Sequence, residues 1–350
     1  MSGYEALAAK VRAMYGKRLK MEDFEHISTL HSEREVLEYL RNHPGWKRAL
    51  GRVPDMEIHR AQLETLLQNE VRQEYVALNH YVPRKDKFAL SFPVMLCELD
   101  QILAVFRRLV AKGRVKPKVR FEVELPPDFL LHSKLDYSAL RKCTDYAGLT
   151  AAAKGTIYGA PLSLFQPTEQ TPLPDYTATE VLLRSTYYST LYRRAARNYA
   201  GETRRVLLRS LGQQVDLLNI THILRLKKYF PGDTRYLSSL FPINDRLKPD
   251  LIRALLEAPD VEGVFELLAP SPYASVFAER DVPSLEAYSV RTFARFNHRQ
   301  LTSGVPSVYT AIAYLNLKDL AMKALVNDIE CVKYGVPFDP FLARLATGEP

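Results

Sequence analysis

Along most of this chain apolar residues return every third or fourth position, a spacing that an α-helix presents as one face. Near the N-terminus Tyr4, Leu7, Ala8, Val11, Met14 and Tyr15 form one such stripe, with Lys10, Arg12, Lys17 and Arg18 mostly off it. Leu99, Ile102, Leu103, Phe106 and Val110 form another. The stretch from Thr179 to Ser210 is rich in Leu, Arg, Ala and Tyr and has no proline. Read as a single helix, it runs about 48 Å at ~1.5 Å per residue. Strand signal is thin: Val119–Leu125 (VRFEVEL) alternates at period two but stands alone, and a lone strand has nothing to pair with. The spacing predicts an all-α fold.

The helical pattern also repeats. Val36-Leu37-Glu38-Tyr39-Leu40, followed by Pro44 and Trp46, falls on Val264-Phe265-Glu266-Leu267-Leu268, followed by Pro272 and Tyr273; a shift of 228 residues places Val, Glu, Leu and Pro on themselves. A weaker middle copy starts at Leu135-Asp136-Tyr137 and runs through Leu149 to Tyr158 and Leu162. Each module precedes a long helical pair, whose second helix carries an acidic residue ahead of an apolar stripe: Asp100, Asp216 and Asp319, 116 and 103 residues apart. Three such units in series either pack about a common axis around a central hollow or stack as a solenoid. Three large units favour the three-lobed arrangement. Proline-rich stretches at Lys116–Pro127 and Phe230–Pro249 mark the boundaries, giving repeats 1–120, 121–235 and 236–350. Pro167, Pro172 and Pro174 make Gln166–Pro174 a loop.

Composition narrows the class. A chain with 47% hydrophobic and 25% charged residues folds; it is neither a disordered tail nor a fibre. No apolar run approaches the roughly 18–20 residues of a membrane span, and the N-terminus carries no secretory signal pattern, which reads as a soluble, cytosolic protein. Cys97, Cys143 and Cys331 are odd in number and far apart, as expected of reduced core thiols. The net charge of +8 points to an acidic partner: nucleic acid, an anionic membrane surface or an acidic protein.

Catalytic patterns are missing. The chain has no phosphate-cradling G-x-x-x-x-G-K-[ST], no G-x-G-x-x-G, no H-E-x-x-H and no G-x-S-x-G. His26 and His31 are five apart, wrong for one helical face, and Thr29 and Ser32 between and beside them read as a helix end. Thr302-Ser303-Gly304 reads as a turn. No cofactor and no metal is expected.

Two basic stretches stand out. One runs from Arg107 and Arg108 through Lys112, Arg114, Lys116 and Lys118 to Arg120; the other holds Arg193, Arg194, Arg197, Arg204, Arg205 and Arg209 among Tyr187, Tyr188, Tyr192 and Tyr199. Three readings fit: a solvated face with Arg stems over apolar neighbours, docking to acidic protein or lipid headgroups, or single-stranded nucleic acid bound by phosphate contact and stacking. Twenty tyrosines tilt the balance toward a docking protein. A basic all-helical nucleic-acid-binding protein is the alternative. Asp216 and Asn219, three apart, share a helix face; helix N-terminal capping is their expected role.

The segment Val215–Phe230, VDLLNITHILRLKKYF, resembles the "D-x-x-N-(I/L)-x-x-(L/I)-(L/x)-R-x-K" helix of the C-subunit family of V-type and archaeal A-type ATPases, the d-subunit family of eukaryotes. The opening YEALAAKVRAMYGKRL of Tyr4–Leu19 is similar to the family's start. Ala311-Ile-Ala-Tyr-Leu-Asn-Leu-Lys-Asp319, continuing to Lys333-Tyr-Gly-Val-Pro337, resembles its closing "x-Y-L-x-x-K-(E/D)…G-(L/V)-P". Departures are mild: Leu103 and Met322 stand where the middle repeat has asparagine, Asp319 replaces the commoner Glu, and Lys10 the commoner Arg. The resemblance implies a funnel of three similar helical domains in pseudo-threefold arrangement around a central cavity. It implies a single copy per complex, peripheral on the cytoplasmic face of the membrane proteolipid ring and beside the membrane surface. The cavity would receive the foot of the central stalk, made of the D and F subunits, in ATP-linked proton or sodium transport, with no catalytic site and no nucleic acid. Tyr188, Tyr192, Arg193 and Arg197 are then the expected stalk-facing side chains.

Overall fold

The computed structural model describes residues 3–50, 60–111, 125–230, 232 and 240–348. Among these residues every regular element is helical and no strand occurs, so the all-α expectation holds. VRFEVEL, apart from Leu125, lies outside the described residues, as do the basic positions Lys112 to Arg120 and both expected divisions, 120/121 and 235/236.

The longer helices are α1 (Glu5–Tyr15), α2 (Met21–Ser28), α3 (Glu33–Asn42), α4 (Arg60–Asn79), α5 (Phe92–Val110), α6 (Tyr146–Ala153) and α7 (Tyr176–Asn198). They continue with α8 (Gly201–Tyr229), α9 (Pro249–Glu257), α10 (Val261–Leu268), α11 (Leu285–Ser303), α12 (Val308–Tyr334) and α13 (Phe341–Thr347). Many starts are written in the sequence. Ser32, Asp136, Asp145, Asp175, Asp260 and Ser307 each accept a backbone N–H of the first helical turn, satisfying a donor that has no partner inside the helix. The helix end expected at Thr29 and Ser32 is there, between α2 and α3. Gln166–Pro174 is irregular, as its prolines require.

One expectation fails. Thr179–Ser210 is not a single helix: α7 stops at Asn198, Tyr199 and Ala200 are extended, and α8 begins at Gly201 with φ +55°. A left-handed φ costs an L-residue with a Cβ about 1 kcal/mol or more, so glycine permits the chain to turn without a proline.

The chain divides into two compact units. The first comprises Met1–Pro93, Pro117–His132 and Ala294–Pro350. Its most buried helix is α12, which packs against α1, α2, α3, α4 and α13. The Ser307 cap and Gly335, at φ +62°, set its two ends. One face of α12 (Met322, Leu325, Ile329) meets Phe24, Ile27, Val36, Leu37, Leu40 and Trp46. The N- and C-terminal thirds of the chain therefore share one core. In that helix Asp328 is completely buried, and neither carboxylate oxygen has a hydrogen-bond partner. Burial pushes its acid up to about 7.

The second unit comprises Val94–Lys116 and Ser133–Phe293. Here α7 and α8 pack side by side. The apolar residues Leu217, Ile220, Ile223 and Leu224 of α8 bury against α9, α10, Tyr273 and the start of α11. The α5 stripe behaves as expected through Phe106, whereas Val110 is exposed. Cys97 and Cys143 are buried and Cys331 half-buried, and none of the three is in a disulfide among the described residues. Among the described residues no single helix is long and apolar enough to cross a membrane.

Candidate contact face and the clamps behind it

α7 carries all four residues singled out in its sequence, and helical spacing sends them different ways. Leu183, Tyr187, Leu191 and Ala195 recur four apart and face inward. On another face Leu182, Ser185, Thr186, Ser189, Thr190 and Arg193 border a groove of about 750 Å³. Ile157, Ala160 and Pro161 form one wall of that groove, and Pro242, Ile243 and Asn244 form the other. Tyr192 and Arg193 both line it. The Arg193 Nε donates to the Ser189 carbonyl at 3.1 Å, which turns the guanidinium back along the helix. Tyr192 is half-buried, and burial raises the pKa of its phenol.

Tyr188 packs inward instead, edge-on to Phe241 at 5.7 Å and to Tyr187 at 5.0 Å, and burial raises its phenol pKa as well. Arg197 is exposed one turn beyond Arg193 and does not line the groove. The structure thus joins two of the four in one groove. Sequence reasoning missed the hydroxyl-lined floor, whose signal was Ser185, Thr186, Ser189 and Thr190 on one helix face, and the wall at Pro242–Asn244, which had none.

Several neighbouring arginines are matched by acids: Arg184 by Glu180 at 2.8 Å, Arg205 by Glu202 at 2.7 Å and Arg209 by Asp245 at 2.9 Å. Part of the basic stretch is therefore a solvated, self-paired face.

The groove wall is held from behind by α8. Gly212, Asp216 and Asn219 lie at successive turns of one face. A Cβ on Gly212 would stand 2.6 Å from the Asp245 Cβ, so glycine lets the 241–247 segment lie directly on the helix. Asn219 donates to the Phe241 carbonyl at 3.1 Å and accepts its N–H at 2.9 Å. Asp216 is completely buried and accepts from the backbone N–H groups of Asp245, Arg246 and Leu247, the closest at 2.8 Å. It also accepts from the Tyr273 hydroxyl at 2.6 Å. The capping role expected of Asp216 is overturned: it sits in the middle of a 29-residue helix and binds another segment. Asp100 is exposed and Asp319 pairs with Lys323 at 2.8 Å, so the three aspartates are not equivalent. Glu98 does for α5 what Asp216 does for α8, accepting from Ser133 Oγ at 2.7 Å and Lys134 N–H at 2.9 Å.

In the first unit the closing motif makes a comparable clamp. Lys318 is buried; its Nζ donates to the Gly45 carbonyl at 2.8 Å and sits 3.5 Å from Glu74 and 3.8 Å from the Trp46 ring centroid. Tyr314 donates to Glu74 at 2.8 Å, and Arg48 makes two bonds to Glu70. Burial lowers the pKa of the Lys318 ammonium and raises that of the Glu70 acid, each opposed by the charges facing it.

A common contact links these clamps. The aromatic residue that ends each short module is buried on an earlier or later long helix: Tyr158 donates to the Met95 carbonyl on α5, Tyr273 to Asp216 on α8, and Trp46 lies beneath Lys318 of α12. Among the described residues no three His, Cys, Asp or Glu side chains are grouped to hold a metal. His26 lies against the Tyr39 ring.

Asp216 and Asn219 of one quoted motif, and Tyr314 and Lys318 of another, are thus buried polar clamps. Comparison with known proteins agrees with the resemblance they carry. Residues 7–340 match the family described as ATP synthase (C/AC39) subunit. The chain is 24% identical over 338 residues to the C subunit of the A-type ATP synthase of Methanobrevibacter smithii, covering 92% of this chain and 82% of that protein. It is 24% identical over 341 residues to the corresponding C subunit of Methanosphaera stadtmanae, covering 91% and 80%. With a match spanning nearly its whole length, this chain belongs to the ATP synthase (C/AC39) subunit family.

Proposed function

We propose that this chain is the non-catalytic socket of a rotary A- or V-type ATP synthase. In this reading one copy seats the foot of the central stalk, the D and F subunits, on the membrane proteolipid ring at its cytoplasmic face. It carries torque for ATP-linked proton or sodium transport. Three similar domains, 1–120, 121–235 and 236–350, in a pseudo-threefold funnel around a central cavity, are the architecture this role calls for. The repeated burial of Tyr158, Tyr273 and Trp46 on long helices supports such a repeat.

The observation that carries the reading is the fate of the family's motif residues. Asp216, Asn219, Tyr314 and Lys318 all hold helices to neighbouring segments. A part that transmits torque needs a body that does not yield, and buried charge-assisted hydrogen bonds supply that rigidity. Tyr192, Arg193 and Arg197 are the proposed stalk contacts, with Tyr188 supporting them from inside.

The test is capture of partners by the tagged chain from nuclease-treated, detergent-solubilised membranes, with proteins counted by mass spectrometry. Near-stoichiometric stalk and proteolipid proteins are expected. Copurifying nucleic acid without them would favour the nucleic-acid reading instead.

A further inference from the structure

Single exposed apolar side chains are ordinary, whereas grouped ones mark a contact surface. Among the described residues, seven large hydrophobic side chains are more than half exposed, and four of them fall at two helix ends: Tyr229 (57%) and Phe230 (55%), then Tyr334 (67%) and Val336 (55%). Tyr229 and Phe230 end α8; Tyr334 and Val336 end α12. The two ends repeat the same order of chemistry. Lys228 precedes Tyr229, its ammonium 5.5 Å from the ring centroid, and Lys333 precedes Tyr334 at 6.0 Å. They stand 105 residues apart. One arises in each compact unit, so the recurrence is seen twice.

The neighbouring charges explain what each tip presents. At the α8 end Arg225 pairs with Glu286 at 2.8 Å and Lys227 turns back to the Leu256 carbonyl at 2.7 Å. Lys228 remains exposed beside the aromatic pair. At the α12 end Lys333 is exposed and shares its charge with Glu33 at 3.0 Å.

We propose that each of these two tips, taken by itself, is an anchor for anionic lipid headgroups. Tyrosine and phenylalanine insert at the boundary between headgroup and acyl chain, with the phenol kept in the polar layer, and the adjacent lysine meets lipid phosphate. The charge complementarity comes chiefly from Lys228, exposed at the α8 end, on a chain of net charge +8. A helix end is not a groove, so a protein partner would need a matching pocket, whereas a headgroup layer moulds itself to a protruding tip. The inference rests on the membrane-side seating proposed above and adds the residues and lipid chemistry that would secure it.

The experiment is co-sedimentation of the purified full chain with vesicles of phosphatidylcholine containing phosphatidylglycerol, and with phosphatidylcholine alone. Binding to the anionic vesicles only, falling with salt, is expected. The pairs Tyr229→Ser/Phe230→Ser and Tyr334→Ser/Val336→Ser each weaken it roughly tenfold, and the combination nearly abolishes it. These substitutions leave the net charge unchanged, so a loss reports insertion rather than general attraction. The tips are exposed, and thermal unfolding should not move. No binding by the wild-type chain, or equal binding by the combined variant, overturns the proposal. The stalk capture is run on both forms: vesicle binding that depends on the tips, with no stalk captured, leaves the anchors standing and removes the socket reading.

Discussion

Asp328 sits in the last third of α12 with no hydrogen-bond partner for either oxygen, and its acid is raised to about 7 from an ordinary value of 3.8. Between those values the folded chain holds a proton that the unfolded chain has released. Stability therefore falls as pH rises from about 4 to about 7, and the cost is fully present above that range. A shift of this size amounts to something on the order of 4 kcal/mol. Asp328→Asn keeps the shape and removes the charge. Urea unfolding at about pH 5 and about pH 8 should find it more stable than wild type at both, by about 2 kcal/mol at the lower pH and about 4 kcal/mol at the higher. A gain in the variant that is the same at both pH values would show that the charge is not the cause. Asp216 is the opposite case, a buried carboxylate with four donors. Asp216→Ala leaves three backbone N–H groups and a phenol without their acceptor and should cost about 3 kcal/mol or more, against about 1 kcal/mol for Tyr273→Phe. Equal midpoint shifts for the two variants would contradict this division.

At the scale of elements, polar residues do what apolar stripes cannot. A stripe has no preferred register along its partner, whereas Lys318 reaches Gly45, Glu74 and Trp46 at once and fixes α12 against α4 and the first module. Lys318→Met strands Glu74 in the core and should destabilise by about 3–5 kcal/mol, and adding Glu74→Gln should restore a good part of that loss. Unfolding of the single and double variants measures it; additive losses would mean that the two charges do not interact. The stripes of α1, α5 and the two modules were legible because burial follows the helical period. The break before Gly201 was not, because one glycine at a positive φ leaves no signal that a glycine within a helix does not also leave. A helix end was legible at Thr29 and Ser32, where two short hydroxyl side chains stand close together, and capping was misleading at Asp216, where the carboxylate's backbone partners lie 29 to 31 residues away.

For the whole molecule, the expected readout is assembly. Arg193→Glu/Arg197→Glu reverses two charges at and beside the groove and should weaken stalk capture on the order of tenfold, with a shallower dependence on salt. Unchanged capture would remove α7 from the proposed contact. The core of the first unit offers a further view of the same scale: residues near both ends of the chain complete it together, through α12 and the N-terminal module.

The sequence alone determined the helical class, the stripes that are buried and the family, because period and motif spacing are local properties of the chain. The residues it matched in two segments are buried in both, Val36, Leu37 and Leu40 in one core and Val264, Phe265 and Leu268 in another. Only the tertiary structure decided the rest. It turned Tyr188 inward and left Arg197 outside the groove. It set Pro242–Asn244 opposite α7 and made Asp216 a clamp rather than a cap. Those outcomes depend on which distant segment occupies a helix face, and that is settled by packing and by the hydrogen bonds a buried carboxylate or lysine must find.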